Sequence, residues 1–368
     1  MKSIAKQWIS DLNLYETGKP IEEVARELGF KSADEIIKLA SNENPLGPSP
    51  KAVLAIKKYA AQMHRYPDSG AYYLRQALAG KLHVQPDQLL ITNGSNEAIE
   101  FIGHVFLDRD AEAVISERAF AIFRLIVDMF EARPVLVPMR GFTHDLKAML
   151  AAITPRTRVV FVANPNNPTG TMVNPEEIVD FMKRVPSHVV VVMDEAYIEL
   201  LPPEKQPDTL RYAREERKII ILRTFSKTYG LAGLRVGYAV APAQGIELMA
   251  KVRQPFNINA MALEAARAAL ADDAFVEKTR RMVSEGLQYI ETNLTKAGLE
   301  FIPSVANFML VKVGNGRKVF EEMQKERVIV RPMDGYGLPE YVRVSIGKLP
   351  ENKRFLKALK NVLTSWKG

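Results

Sequence analysis

The sequence predicts an α/β layer fold, in which a large domain with a mostly parallel seven-stranded sheet between helices is joined to a smaller α+β domain. Two observations predict it. Between about residues 50 and 260, seven short apolar runs alternate with segments of helical periodicity. After about residue 260, a long helical stretch is followed by strand-like, helical and strand-like segments, which is typical of a small α+β unit.

The seven apolar runs are the candidate strands of the large sheet. Most are continuous apolar blocks rather than alternating ones, as expected for strands that helices cover on both faces. In chain order they are QLLIT (88–92), EAVIS (112–116), PVLVP (134–138), RVVFVA (158–163), VVVVM (189–193), KIIILR (218–223) and RVGYAVA (235–241). Helical patterns such as NEAIEFIGHVF and NPEEIVDFMKRV lie between several of them.

The composition excludes several classes of function. The chain has 368 residues, no cysteine and a formal net charge of +7, so disulfides, thiolate metal sites and cysteine nucleophiles are excluded. The basic residues are spread rather than clustered, which argues against nucleic-acid binding and favours anionic small molecules. The five histidines show no metal-ligand spacing, so we expect no metal site. We find neither a membrane-spanning apolar run nor a secretory signal, and we expect a cytoplasmic protein without a membrane partner.

Polar side chains follow four of the candidate strands. In an open α/β sheet, ligands bind beyond the carboxyl ends of the strands, so these side chains are candidates for one binding site. The segments are Asn93 to Glu97 (NGSNE), Asn164 to Gly170 (NPNNPTG), Asp194 to Tyr197 (DEAY), and Thr224 to Lys227 (TFSK) with Arg235 eight residues further on. Each alone has an ordinary explanation as a cap, a turn or a surface charge. Together, and in this order, they indicate a functional site.

The chemistry of this set meets the requirements of pyridoxal 5′-phosphate (PLP). A helix N-terminus with Gly and Ser binds a phosphate, and a guanidinium completes the cradle. A carboxylate keeps a pyridinium nitrogen protonated, Tyr and Asn hydrogen-bond a phenolic oxygen, and a Lys forms a Schiff base. The sequence therefore predicts a PLP-dependent enzyme.

At these residues the sequence resembles the fold-type-I PLP-dependent aminotransferases. The ordered motifs are Asn-Pro-x-Asn-Pro-Thr-Gly, Asp-Glu-x-Tyr, and Ser-Lys with a downstream Gly-Leu-Arg-x-Gly. Four further segments resemble the histidinol-phosphate aminotransferases: GKPIEEVARELG, KLASNENPLGPSPKA, RYPD with YYLRQALA, and VIVRPMDGYGLPEYVRVSIG. The resemblance covers nearly the whole chain. It implies amino transfer between L-histidinol phosphate and 2-oxoglutarate in histidine biosynthesis, giving imidazole-acetol phosphate and glutamate.

We expect three parts of the chain, and the resemblance implies a role for each cofactor-site residue. Residues 46–260 form the large PLP-binding domain, residues 261–368 the small C-terminal domain, and residues 1–45 an arm or lid that packs with the small domain. Lys227 forms the Schiff base and, with Asp194 and Tyr197, makes up the catalytic set. The residues expected to bind the cofactor are Ser95, Asn96, Phe120, Asn167, Asp194, Tyr197, Ser226, Lys227, Arg235 and Tyr66.

Two further expectations concern the partner subunit and the substrate. Tyr66 matches a residue that the partner subunit donates, which implies a homodimer with shared active sites. Asn44, Arg331 and Arg343 match residues that bind the substrate. A guanidinium suits both the phosphate of one substrate and the carboxylates of the other, because it is planar and permanently charged. Tyr15 and its neighbours are expected to form the lid.

Other functions of the same site stay open at this stage. The first alternative is an aminotransferase acting on aromatic amino acids. A less favoured one is a PLP-dependent decarboxylase of phosphoamino acids, resembling threonine-phosphate decarboxylase. A PLP-sensing domain of a transcription regulator is disfavoured, because only about 40 residues precede the NENP segment.

Overall fold

The structure, a computed structural model, describes residues 1, 4–12 and 18–365. The expected lid residue Tyr15 lies outside the described residues. The strands are β1 (Ile37–Lys38), β2 (Leu89–Thr92), β3 (Glu112–Ser116), β4 (Arg133–Val137), β5 (Thr157–Ala163), β6 (Val190–Asp194), β7 (Ile219–Thr224), β8 (Gly237–Val240), β9 (Phe301–Ile302), β10 (Phe308–Lys312), β11 (Val328–Ile329), β12 (Arg331–Pro332) and β13 (Tyr341–Ser345). The helices are α1 (Gln7–Ser10), α2 (Ile21–Glu27), α3 (Pro50–Tyr59), α4 (Tyr72–Leu82), α5 (Ser95–Phe106), α6 (Ala121–Met129), α7 (Leu146–Ala151), α8 (Pro175–Arg184), α9 (Leu210–Arg214), α10 (Ala243–Lys251), α11 (Ala260–Leu270), α12 (Asp273–Lys296), α13 (Gly316–Lys325) and α14 (Leu349–Ser365).

The central sheet has seven strands in the order β2-β8-β7-β6-β5-β3-β4. Strand β8 runs antiparallel to both of its neighbours, and the other pairs are parallel. Each predicted strand agrees with an observed one to within about two residues. The carboxyl ends of β2, β5, β6 and β7 therefore lie at one edge, where the polar segments follow them.

The strands are continuously apolar because helices cover both faces of the sheet. In β5, Val160 and Val162 pack into one core with α4, α8 and α11. Val159, Phe161 and Ala163 alternate with them and pack into the opposite core with α5 and α6. Burial on both faces removes the need for polar positions in the strand, and this holds the strand ends in fixed places.

The smaller unit is built on an antiparallel sheet in the order β12-β13-β10-β9. Helices α13 and α14 pack on it around buried Met309, Val344 and Phe355. The N-terminal arm joins this unit through a parallel pairing of β1 with β11 and through a small core that contains Val24 and Ile329. Trp8, earlier in the arm, instead reaches the large unit and donates a hydrogen bond to Met129 O at 3.2 Å.

Helix α12 connects the two units. It has 24 residues and is therefore about 36 Å long. Val276 and six residues of α11 pack in the core of the large sheet, whereas Ile290 and Leu294 pack in the core of the small sheet. A division at residue 260 separates α11 from the core in which it is packed, so we propose that the boundary lies within α12.

Candidate active site

A cavity of about 380 Å³ opens at the edge where the polar segments meet. Its lining includes all of the predicted site residues except Tyr66 and Asn44. We call the part formed by the large unit the sheet wall, which consists of Ser95, Asn96, Phe120, Asn167, Asp194, Tyr197, Thr224, Ser226, Lys227 and Arg235. We call the part formed by the arm and the small unit the facing wall, which consists of Gly18, Ala40, Ser41, Asn42, Glu43, Arg331, Tyr336 and Arg343.

One end of the cavity is an anion cradle at the start of α5. The first backbone N–H groups of this helix have no partner within the helix and carry its partial positive charge. Gly94 precedes the helix at φ +78°, and a Cβ there would lie 2.6 Å from Nη2 of Arg235. Gly237 is constrained in the same way, since its Cβ would lie 2.8 Å from the backbone N of Ser95. Glycine at both positions lets the guanidinium and the helix start converge on one point, which fits a phosphate group.

Asp194 lies deep in the sheet wall at the end of β6. It is 5% exposed, and Oδ1 accepts a hydrogen bond from the backbone N of Ala196 at 3.0 Å. Burial raises the pKa of this carboxyl group to about 7, with that backbone hydrogen bond opposing the rise. A protonated ring nitrogen in the cavity beside Asp194 would stabilise its carboxylate form, so the site fits a pyridinium ring.

Lys227 follows β7 and reaches the facing wall. Its Nζ lies 3.3 Å from the backbone O of Ser41 and 3.2 Å from that of Asn42. Burial lowers the pKa of this ammonium group to about 8, and the guanidinium of Arg343 contributes in the same direction. More of the amine is therefore neutral near pH 7 than for a lysine in solvent, which suits a nucleophile.

Tyr197 and Asn167 present polar atoms to the middle of the cavity. Tyr197 Oη accepts a hydrogen bond from Nδ2 of Asn42 at 3.1 Å. Burial raises the pKa of the phenol to about 12, against the opposing effect of Arg343, so the hydroxyl keeps its proton. Asn167 Oδ1 accepts from Nη1 of Arg343, which leaves the NH₂ group of Asn167 as the donor for a ligand.

Two arginines of the small sheet stand side by side on the facing wall. Arg331 on β12 and Arg343 on β13 are directly paired across the two antiparallel strands, and residues so paired point to the same face of a sheet. Arg343 is also held by a hydrogen bond from Nη2 to the backbone O of Ala40 at 2.9 Å. The pair gives the cavity a concentrated positive charge for anionic substrate groups.

Phe120 lines the cavity at the start of α6, in edge contact with Phe123 at a centroid distance of 5.7 Å. Asn44 lies outside the cavity lining. Its Nδ2 donates to the backbone O of Thr228 at 3.0 Å and to Oγ1 of Thr279 at 3.2 Å. The structure thus places the Asn44 side chain between the segment that follows β7 and helix α12.

Tyr66 is also absent from the cavity of its own subunit. Its ring is 82% exposed and stacks on Phe256 at 4.8 Å between centroids. Other large exposed apolar side chains occur in the same part of the chain, at Leu54, Met63, Tyr72 and Tyr73. An exposed group of this kind is typical of a surface that meets another protein chain.

Sequence reasoning missed several residues of the facing wall, above all Asn42, Glu43 and Tyr336. Asn42 stands two residues before the selected Asn44 and has a left-handed backbone, with φ +55°. A run of Asn residues in a Pro-rich segment signals such turns, but it does not say which side chain faces a ligand.

Two observations bear on other classes of function. No group of three or more potential metal-ligating side chains is found among the residues that the structure describes. Within the same residues, no helix is long and apolar enough to cross a bilayer.

The buried His144 has a structural role at the strand ends, with Nδ1 2.6 Å from Ser116 Oγ and Nε2 2.9 Å from Ala163 O.

Comparison with known proteins shows to which family this chain belongs. A model of the family described as aminotransferase class I and II matches residues 34–359. A histidinol-phosphate aminotransferase of Akkermansia muciniphila is 51% identical to this chain over 364 residues, which cover 99% of both chains. The chain belongs to the histidinol-phosphate aminotransferase family of the class I and II aminotransferases.

Further members of the family agree in sequence and in structure. A histidinol-phosphate aminotransferase of Moorella thermoacetica is 46% identical over 360 residues, covering 97% of this chain and 92% of the relative. The crystal structure of histidinol-phosphate aminotransferase from Sinorhizobium meliloti, in complex with pyridoxal-5′-phosphate, matches with a TM-score of 0.90 at 29% identity, covering 99% and 98% of the two chains. The predicted family and the predicted fold class are therefore confirmed.

Proposed function

We propose that this aminotransferase transfers an amino group between L-histidinol phosphate and 2-oxoglutarate, with PLP as its cofactor, in histidine biosynthesis. The observation that carries the proposal is the meeting of the two walls. The sheet wall fits a phosphorylated pyridine ring, and the facing wall holds Arg331 and Arg343 opposite it. Relatives at 46–51% identity carry the name of this activity.

The sheet wall accounts for each part of the cofactor. The amides of Ser95 and Asn96, the Ser226 hydroxyl and the Arg235 guanidinium would hold the phosphate. Asp194 would hold the proton on the ring nitrogen, and Phe120 would offer its ring to the cofactor ring. Asn167 and Tyr197 would donate hydrogen bonds to the phenolic oxygen. When bound, the cofactor supplies an electron sink for the negative charge that develops at the substrate carbon.

Lys227 has two functions in this proposal. Its amine would hold the cofactor covalently, and the same amine, once free, would take up or give the proton at the substrate Cα. A pKa near 8 suits the second function, since a general base works best when its pKa lies near the working pH. The contacts with the backbone oxygens of Ser41 and Asn42 hold the amine at the cavity.

The facing wall accounts for the two substrates. L-Histidinol phosphate carries a phosphate and no carboxylate, whereas 2-oxoglutarate carries two carboxylates. Arg331 and Arg343 offer guanidinium groups that accept either oxyanion in bidentate geometry. L-Histidinol phosphate is charged and therefore crosses a bilayer poorly. The enzyme and its substrate must then be in the same compartment, and we propose that this compartment is the cytoplasm.

The substrate assignment is tested by comparing kcat/KM for L-histidinol phosphate and L-phenylalanine with 2-oxoglutarate as acceptor, and by measuring carbon dioxide release from O-phosphothreonine. We expect L-histidinol phosphate to be the best donor and carbon dioxide release to be absent. A higher kcat/KM for phenylalanine would assign the enzyme to aromatic amino acids, and carbon dioxide release would assign it to the decarboxylases.

We further propose a homodimer in which Tyr66 completes the partner's cofactor site. The exposure of Tyr66 and of the apolar side chains near it supports this proposal. Coexpression of Tyr66→Phe and Lys227→Ala chains tests it, because a mixed dimer would pair both defects in one site and leave the other site intact. We expect the mixed sample to be more active than either single-variant sample. Activity equal to the average of the two would contradict sharing, as would a monomeric mass in solution.

A further inference from the structure

Asn42 lies where the arm, the large unit and the small unit meet. It is 1% exposed. Its backbone O accepts hydrogen bonds from Nζ of Lys227 at 3.2 Å and from Nδ2 of Asn307 at 3.0 Å. Its side-chain amide lies between Ser345 on β13 and Tyr197. No predicted role falls on this residue, although it contacts two members of the catalytic set.

The amide of Asn42 has its oxygen towards Ser345 and its nitrogen towards Tyr197. The Oγ of Ser345 accepts from the backbone N of Asn42 at 2.8 Å and lies 3.1 Å from Oδ1 of Asn42. This hydroxyl accepts the backbone N–H of Asn42 and donates its own proton to Oδ1. The NH₂ end of the amide faces Tyr197 and donates to its Oη at 3.1 Å.

The direction of this last bond determines where the Tyr197 proton can go. A phenolic hydroxyl has one proton to donate. Since Asn42 occupies the oxygen of Tyr197 as a donor, the proton cannot point back along that bond and is free to point into the cavity. Asn167 is oriented in a matching way, because Arg343 occupies its Oδ1 and leaves its NH₂ group for the cavity.

We propose that Asn42 is a positioning residue that makes Tyr197 a hydrogen-bond donor towards the cofactor, and that Ser345 sets the orientation of the Asn42 amide. The proposal rests on the proposed function, in which Tyr197 contacts the phenolic oxygen of PLP. It explains why Tyr197 donates rather than accepts in that hydrogen bond, and it assigns this effect to Asn42, a residue of the facing wall.

The backbone of Asn42 limits which variants test the proposal cleanly. Its φ of +55° is left-handed, a conformation that Asn, Asp and Gly adopt more readily than other residues. Asn42→Asp keeps the shape but replaces the donor by an acceptor, so the Tyr197 proton is drawn away from the cavity. Asn42→Gly keeps the backbone and removes the amide without adding a charge.

The test is the pH titration of the visible absorption band of bound PLP. A hydrogen bond to the phenolic oxygen withdraws electron density and lowers the proton affinity of the linked Lys227 nitrogen, so losing that bond raises the midpoint. We expect Asn42→Asp to raise it by about one pH unit, and Asn42→Gly and Ser345→Ala to raise it by smaller amounts. Asn259→Asp, at the cap of α11 and outside the cavity, is the matched control and should leave it unchanged.

A second comparison separates the proposed path from a direct effect of the new charge. In a Tyr197→Phe background no hydroxyl proton remains to be redirected, so we expect Asn42→Asp and Asn42→Gly to shift the midpoint no further. Equal shifts in both backgrounds would overturn the proposal, as would an unchanged midpoint in Asn42→Asp. Absence of any visible band in the unmodified protein with added PLP would instead overturn the proposed function, and this inference with it.

Discussion

The two walls of the cavity are built in different ways. Apart from Arg235, which precedes β8, the sheet wall consists of side chains at or just after the ends of strands that are buried on both faces, and those strands are held by the two cores of the large unit. The facing wall collects residues from positions 18 to 343, brought together by the arm and by an antiparallel sheet in another unit. We infer a division of function between them: the sheet wall holds the cofactor and serves every substrate, and Arg331 and Arg343 of the facing wall select the substrate.

The largest expected effect lies in the sheet wall. Lys227→Ala removes both the covalent attachment and the group that moves the proton, so we expect kcat to fall by about 10⁴-fold or more with every amino donor. Bound PLP should persist with an altered spectrum, since the phosphate cradle and Asp194 are intact. Lys251→Ala is the control, because Lys251 pairs with Glu247 on the surface of α10. Turnover by Lys227→Ala at the control rate would contradict the division.

Asp194 and Glu199 form a matched pair that separates function from stability. Burial raises the pKa of both carboxyl groups to about 7, but only Asp194 lines the cavity. A carboxyl group with a raised pKa costs folded stability as pH rises from about 4 to 7, and the cost is constant above that. Without PLP at pH 8, we expect Asp194→Asn and Glu199→Gln each to raise the free energy of unfolding by about 2–4 kcal/mol, and by much less at pH 5.

Activity should then distinguish the two variants. We expect Asp194→Asn to lose about 10³-fold in kcat, because a neutral amide cannot hold the ring nitrogen protonated. Glu199→Gln should retain turnover. Urea unfolding of the cofactor-free proteins at both pH values, together with steady-state kinetics, measures both effects. Loss of stability at pH 8 in Asp194→Asn would show that its charge is compensated in the cofactor-free protein.

The facing wall should respond differently to different substrates. Arg343 has hydrogen bonds to Asn167 and Ala40, so Arg343→Lys should lower kcat/KM by about 100-fold with both L-histidinol phosphate and glutamate. Arg331→Lys should cost about tenfold, mainly through KM, and unequally between the two donors. PLP affinity should change little in either variant. An equal loss of PLP affinity in both would show that the two walls do not divide the work.

The smallest effect concerns the phosphate cradle. Gly94→Ala places a Cβ against Arg235 at a positive φ, and we expect PLP to bind about tenfold more weakly, from about 1–2 kcal/mol of strain. Gly80→Ala is the control, because a Cβ there meets no atom within 4 Å, and alanine stabilises a helix interior by up to about 1 kcal/mol. Fluorescence titration of the cofactor-free proteins with PLP compares the two.

The same contrast between the walls explains how far the sequence predicts the molecule. The strands of the large sheet and the polar segments at their ends follow from local patterns, because strands covered on both faces are continuously apolar and their polar ends converge. Phe120 is predicted only through the family resemblance. The antiparallel direction of β8 has no local signal. The boundary that we propose within α12 depends on which of the two cores each turn of the helix contacts.

The facing wall is less predictable because its residues are placed by contacts between distant segments. Arg331 and Arg343 are predicted only through the family resemblance, and their direct pairing emerges from the sheet. Asn42 and Asn44 have the same side chain in the same segment, yet one faces Tyr197 and the other faces Thr228. The backbone turn at Asn42 decides between them, and no pattern of apolar residues reports it.

The most direct test of the central claim is a half-reaction followed by its visible spectrum. Protein loaded with PLP is mixed with L-histidinol phosphate in the absence of 2-oxoglutarate, and the keto product is counted per active site. The account predicts loss of the visible band, one product per site, and return of the band when 2-oxoglutarate is added. A visible band that persists with saturating L-histidinol phosphate, with no product formed, would contradict the account.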